Sequence, residues 1–174
     1  HTGQGVAISA DGMTLAIGAP HEASASPGIN GNQKDNSVFD AGAVYVFTRK
    51  GEHWIQQAYV KASNPRSSAE FGHAVSLSAD GNTMAVSAFW ESSNAKGING
   101  NQKDESIPQA GAVYTFTRRG TTWTQQAYIK ASNTGEAGTA DAFGDGDQFG
   151  FSIALNADGN TLAVGALTED SAAT

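Results

Sequence analysis

The feature that most constrains this chain is a repeat. GINGNQKD occurs at Gly28 to Asp35 and again at Gly97 to Asp104, a shift of 69 residues. GAVY (Gly42 to Tyr45), QQAY (Gln56 to Tyr59) and KASN (Lys61 to Asn64) return at the same shift, and Trp54 maps onto Trp123. Residues 2–64 laid on 71–133 give 38 identities in 63 positions. A third copy follows, since Asp80-Gly81 reappears as Asp158-Gly159 at a shift of 78. The nine extra residues lie before Phe149 and include Asp141, Asp145 and Asp147. A period of this length means that one supersecondary unit is stacked on copies of itself.

Each copy reads as four short strands. The first, GVAIS at Gly5 to Ser9, runs into Ala-Asp-Gly, a tight-turn signal between apolar runs. The second, TLAIGA at Thr14 to Ala19, alternates large and small residues, as suits a strand covered on both faces. About 20 residues of loop lead to AVYVFTR at Ala43 to Arg49, rich in β-branched and aromatic residues. A basic turn ending in Gly leads to WIQQAYVKA at Trp54 to Ala62. No stretch has the periodicity of an amphipathic helix. The expectation is an all-β chain of four-stranded antiparallel β-propeller blades, about two and a half of them. The blades divide as 1–70, 71–148 with an acidic insert near 134–148, and 149–174 as the first half of a third. Trp54 and Trp123, with the recurrent Tyr and Phe residues, are expected to pack between blades. Propellers close with about four to eight blades. The expectation is therefore a piece of a longer chain of about seven repeats, or of an oligomer, consistent with a start at His1 without Met.

Composition excludes several classes. The net charge is −7 and the pI about 4.9, against a nucleic-acid or anionic-membrane partner. Charged residues are only 16%, too few for a coiled coil. No apolar run approaches a membrane span. There is no Cys, hence no disulfide framework and no thiolate metal site. No nucleophile elbow, His-Glu-x-x-His or phosphate loop occurs. His1, His21, His53 and His73 share no ligand spacing. The chain is therefore expected not to be an enzyme.

Phe71-Gly72, Phe149-Gly150 and Gly18-Ala19-Pro20 recur in one order between the strands, and by them the chain resembles the FG-GAP repeat of integrin-α-type β-propellers, in the version common in secreted bacterial proteins. The first copy departs with Thr2-Gly3 in place of FG. The others depart with Ser87-Ala88-Phe89 and Gly165-Ala166-Leu167 in place of GAP. The resemblance implies an extracellular or cell-surface binding or adhesion scaffold. Two other readings are a carbohydrate- or matrix-binding module of a secreted enzyme and a structural repeat of a surface fibre.

The resemblance also implies a calcium loop, Asp-x-Asp-x-Asp-Gly-x-x-Asp, between the first two strands. Only the central Asp-Gly survives, at Asp11, Asp80 and Asp158, so these hairpins are expected to be empty turns. Calcium is the one cofactor with candidate residues elsewhere. Asn30, Asn32 and Asp35, with Asn99, Asn101 and Asp104, set out oxygens that suit either a calcium cage or a network of Asx turns. Asp141, Asp145 and Asp147 suit either a metal or a solvated acidic loop.

The copies differ most just past GAP, where Pro20-His21 becomes Phe89-Trp90 and then Leu167-Thr168. A ligand, protein or glycan, is therefore expected at His21, Phe89 and Trp90, or at Glu22 and Glu91, which recur with Glu169. The other reading of the glutamates is a hydrogen bond from blade to blade, and of Trp90 a local packing variant.

Overall fold

The computed structural model describes residues 3–135 and 146–169. β1 (Val6–Ile8), β2 (Thr14–Ala19), β3 (Ala43–Lys50) and β4 (His53–Val60) form one antiparallel sheet in that order. β5 (Val75–Leu77), β6 (Thr83–Ala88), β7 (Ala112–Arg119) and β8 (Thr122–Ile129) form a second sheet of the same order. β9 (Phe149–Leu155) and β10 (Leu162–Ala166) pair antiparallel as the start of a third. There is no helix among the described residues. The molecule is thus all-β, two propeller blades and the opening hairpin of another.

Local chemistry sets each turn. Gly12, Gly81 and Gly159 take φ of 67°, 65° and 72°, the left-handed geometry that closes the first hairpin of each copy. Ser9 Oγ donates to Asp11 Oδ1 at 2.6 Å and accepts from the Thr14 N–H at 2.9 Å; Ser78, Asp80 and Thr83 repeat this. The outer hairpins carry a bulge at matching places, Val46/Phe47 and Thr115/Phe116.

Several strand limits differ from expectation. The first strand is shorter by Gly5 and Ser9, the third runs on to Lys50 and the fourth begins at His53. The fourth ends at Val60, because Lys61 and Ala62 pair with the long loop instead. Lys61 N–H donates to Gly28 O at 2.7 Å and Gly28 N–H to Ala62 O at 3.2 Å. The GINGNQKD segment thereby covers the inner end of an edge strand that would otherwise offer unpaired backbone groups.

The core lies between sheets. Phe71 is fully buried and meets Tyr114 and Phe116 edge-on, at 5.3 and 6.1 Å between ring centroids. Met84, Val86, Val44, Val46, Tyr128 and Trp123 complete it. Trp123 is 3% exposed and its indole N–H donates to Gln57 Oε1 of the first blade at 3.0 Å. Trp54, expected to pack likewise, is 41% exposed, because no described sheet lies against that face of the first blade.

The FG and GAP residues meet at the seam. A Cβ on Gly18 would overlap the Gly72 carbonyl oxygen, and one on Gly72 the Ala43 carbonyl oxygen. Gly72 also has φ of 96°. Glycine at both places lets two backbones touch. At the next seam Ser87 stands where Gly18 stood, and the approach is looser. A Cβ on Gly150 would lie 3.0 Å from Ala112 O and 3.1 Å from the Ser87 Cβ.

Candidate functional site

The long loop after β2 is held by its own Asn and Asp residues. Asn30 and Asn99 sit at φ of 59° and 56°. Each receives the N–H of Tyr59 or Tyr128 on its side-chain oxygen at 3.0 Å, and donates its own N–H back to the same residue at 2.7 Å. Asn32 and Asn101 accept the N–H two residues on, from Lys34 and Lys103, at 3.0 Å. Asp35 accepts from Ala25 N–H at 2.7 Å and Ser37 N–H at 3.1 Å. Asp104 accepts from Asn94 and Ser106 N–H at 3.0 Å and from the Ser106 hydroxyl at 2.7 Å. These hydrogen bonds hold both carboxyls below the usual range. The oxygens face the loop's own backbone donors, the geometry of Asx turns.

Asp11, Asp80 and Asp158 accept N–H groups from Met13, Asn82 and Asn160 at 2.9 Å, closing the hairpins. Of the acidic insert, Asp147 is 5% exposed and receives the Gly135 N–H at 3.1 Å. Asp141 and Asp145 lie outside the described residues.

The recurrent glutamates point inward. Glu91 is 1% exposed and takes the Lys130 ammonium at 2.8 Å, the Ser93 N–H at 3.1 Å and the Asn64 amide at 3.1 Å. Asn64 leaves the first blade and Lys130 the second, so one carboxylate receives both chain exits. Asn64 Oδ1 also accepts the Tyr114 hydroxyl at 2.6 Å. Glu22 takes Lys61 at 2.7 Å and the Ser24 N–H at 3.1 Å. Glu169 takes the Asn133 amide at 3.1 Å. Burial pushes the Lys61 and Lys130 ammonium groups down, opposed by their glutamates. The KASN string supplies the lysine and asparagine partners, Lys61, Asn64, Lys130 and Asn133, a recurrence that could have been matched to the glutamates from sequence.

The rim beside this pair differs between seams. At the first, His21 Nδ1 lies 3.2 Å from Asp40 Oδ1, and Glu70 brings a carboxylate oxygen within 4.8 Å of both. His73 stands next to them, 3.8 Å from Glu70 Oε2, and accepts or donates with Gln4 at 3.1 Å. Burial holds the His73 imidazole below its usual pKa. Burial pushes the Glu70 carboxyl up, opposed by the His21 charge and helped by that of Asp40.

At the second seam the equivalent positions are Trp90, Gln109, Gln148 and Phe151, all without charge. Phe89 is 6% exposed and packs against His73 at 4.0 Å, Trp90 at 5.2 Å and Phe151 at 5.9 Å. Trp90 is half-buried, and its indole N–H is buried without a hydrogen-bond partner.

Linear spacing could not bring Asp40 and Glu70 to His21. The signal was there in the copies, because four ionisable residues of one seam all become neutral in the next. A cleft of about 530 Å³ also opens between the long loops, lined by Val38, Phe39, Arg66 and Glu105 among others.

No curated protein matches the chain. The family model of the FG-GAP repeat matches residues 54–116, from β4 of one blade through β7 of the next. The matched unit is therefore out of phase with the sheets by one strand, and it contains the seam where Phe71-Gly72 meets the preceding blade. Four-stranded sheets stacked through that glycine contact, in the span that the family model covers, identify this part of the chain as an FG-GAP repeat.

Proposed function

We propose that the chain is a non-enzymatic binding or adhesion scaffold that works outside the cell or at its surface. FG-GAP repeats are typical of extracellular proteins, which supports the location. One observation carries the binding reading. The frame is constant from copy to copy, while residues of opposite chemistry stand at equivalent places on its rim. His21, Asp40, Glu70 and His73 at one seam become Trp90, Gln109, Gln148 and Phe151 at the other. Loops on a rigid frame are where recognition is normally placed. Trp90 supplies a partly open ring beside Phe89, suited to stacking on a protein or glycan ligand; on an aromatic partner the stack is worth about 0.5–1.5 kcal/mol beyond burial.

The open faces suit further blades of the same repeat, from the same parent chain or an oligomer. Val6, Ile8, Trp54 and Ile55 are each 41–58% exposed on the first blade. Val75, Leu77 and Trp123, the counterparts of Val6, Ile8 and Trp54, pack in or against the core between the first two blades.

The test is Trp90→Ala beside a deletion of the nine-residue insert, both assayed on glycan and matrix-protein arrays. Loss of a wild-type signal in either variant is expected. Unchanged binding in both, with the fold intact by circular dichroism, would favour a structural fibre repeat.

A further inference from the structure

We propose that His21, Asp40 and Glu70 form a binding site for a divalent first-row transition metal of the zinc type. The site goes beyond the scaffold reading and does not depend on it. The donor set is one imidazole nitrogen and two carboxylates. An imidazole donor favours zinc and its neighbours over calcium or magnesium, which take oxygen.

The geometry is close to what an ion requires. Zinc bonds of about 2.1 Å in a tetrahedron place ligand atoms about 3.4 Å apart. His21 Nδ1 and Asp40 Oδ1 already lie 3.2 Å apart. The three ligand atoms lie within 4.8 Å of one another, so all three face a common point.

Glu70 is the independent sign that something charged belongs here. It is 8% exposed, and its carboxylate accepts no hydrogen bond among the described residues. The His73 imidazole, at 3.8 Å, is beyond hydrogen-bond range. A carboxylate this deep that accepts no hydrogen bond from the protein is stabilised by a cation beside it.

The second seam serves as an internal control. Gln109 and Gln148 share the backbone of Asp40 and Glu70, with φ of 57° and 52° against 49° and 53°. The same backbone hydrogen bond joins each pair at 3.0 Å, from Glu70 N–H to Asp40 O and from Gln148 N–H to Gln109 O. The seam therefore closes without these charges, and its closure does not account for them. His21 has a side chain 34% exposed, which opens the site to solvent on one side for entry and for a water in the fourth position. An ion there would tie the loop after β2 to the link between β4 and β5.

The experiment is calorimetric titration of the protein with zinc chloride at pH 7, repeated on Glu70→Gln and His21→Ala. One equivalent is expected to bind the wild type, at least tenfold more tightly than either variant. Cobalt is expected to give visible ligand-field absorption that His21→Ala loses. Glu70→Gln installs the residue that the fold carries at Gln148, and circular dichroism checks that it folds; His21→Ala, at a more open position, reads independently. No uptake by the wild type at millimolar zinc overturns the proposal. So does an unchanged affinity in either folded variant.

Discussion

The two seams are built on one backbone and finished with opposite chemistry. Phe71 N–H donates to Ala41 O at 3.2 Å, and Phe149 N–H to Ala110 O at 3.1 Å. Ala10 N–H donates to Ala79 O at 2.9 Å, and Ala79 N–H to Ala157 O at 2.8 Å. Main-chain bonds thus align each blade on the next regardless of side chain. Yet the first seam presses glycine on glycine and carries an ionisable rim, while the second admits Ser87 and carries Phe89, Trp90 and Phe151. When the backbone handles alignment, the side chains at the seam are released for other uses. The buried pairs beneath the rim follow the same logic. Glu22 and Glu91 each hold a lysine, but only Glu91 also receives an amide from the preceding blade.

The largest expected effect breaks that last difference. Glu91→Ala leaves the Lys130 ammonium buried and the Asn64 amide without its carboxylate, and should cost about 3–5 kcal/mol. Glu22→Ala should cost less, because that carboxylate is slightly more open and receives no bond from a preceding blade. Urea denaturation of both variants measures the gap. Equal losses would mean that the bond across the seam contributes nothing.

Next comes Gly18→Ser. The second copy already has serine at this place, so a reading of the repeat alone expects tolerance. The contact with Gly72 predicts a loss of about 1–3 kcal/mol, since the added atoms push one blade off the other. A thermal melt unchanged from wild type would show that the two seams are equally loose.

The smallest effect is shared by both blades. Hydrogen bonds hold the Asp35 and Asp104 carboxyls below the model-compound value of 3.8, chiefly from the Ala25 and Ser106 N–H groups. Asp11 and Asp80 are held down likewise, chiefly by the Ser9 and Ser78 hydroxyls. A carboxyl whose folded pKa lies below its unfolded one stabilises the fold above the unfolded value. That stability is lost as pH falls through the folded one. Stability should therefore decline below about pH 4, and Asp35→Asn with Asp104→Asn should flatten the decline. An acid limb unaltered in the double variant would assign it to other carboxyls.

Much of the frame was legible because it rests on local chemistry. Ala-Asp-Gly turns, alternating strands and an Asn-rich loop each declare themselves within a few residues, and repetition at one period multiplies a weak signal. The candidate site was legible only in fragments. His21, Phe89 and Trp90 stood out because the copies disagree there. Asp40 and Glu70 did not, since 30 residues separate them in the chain. Trp54 is more exposed than its twin Trp123, which gains a neighbouring sheet that Trp54 lacks among the described residues.

The sequence by itself determined the all-β repeat, its turns and the places where the copies diverge, since these follow from backbone preference and periodicity. Only the tertiary structure decided which residues share a seam. Each seam gathers one residue from the loop after the second strand, one from before the third and one from the link to the next blade. The strand pairing that brings them together is long-range, and no local propensity encodes it.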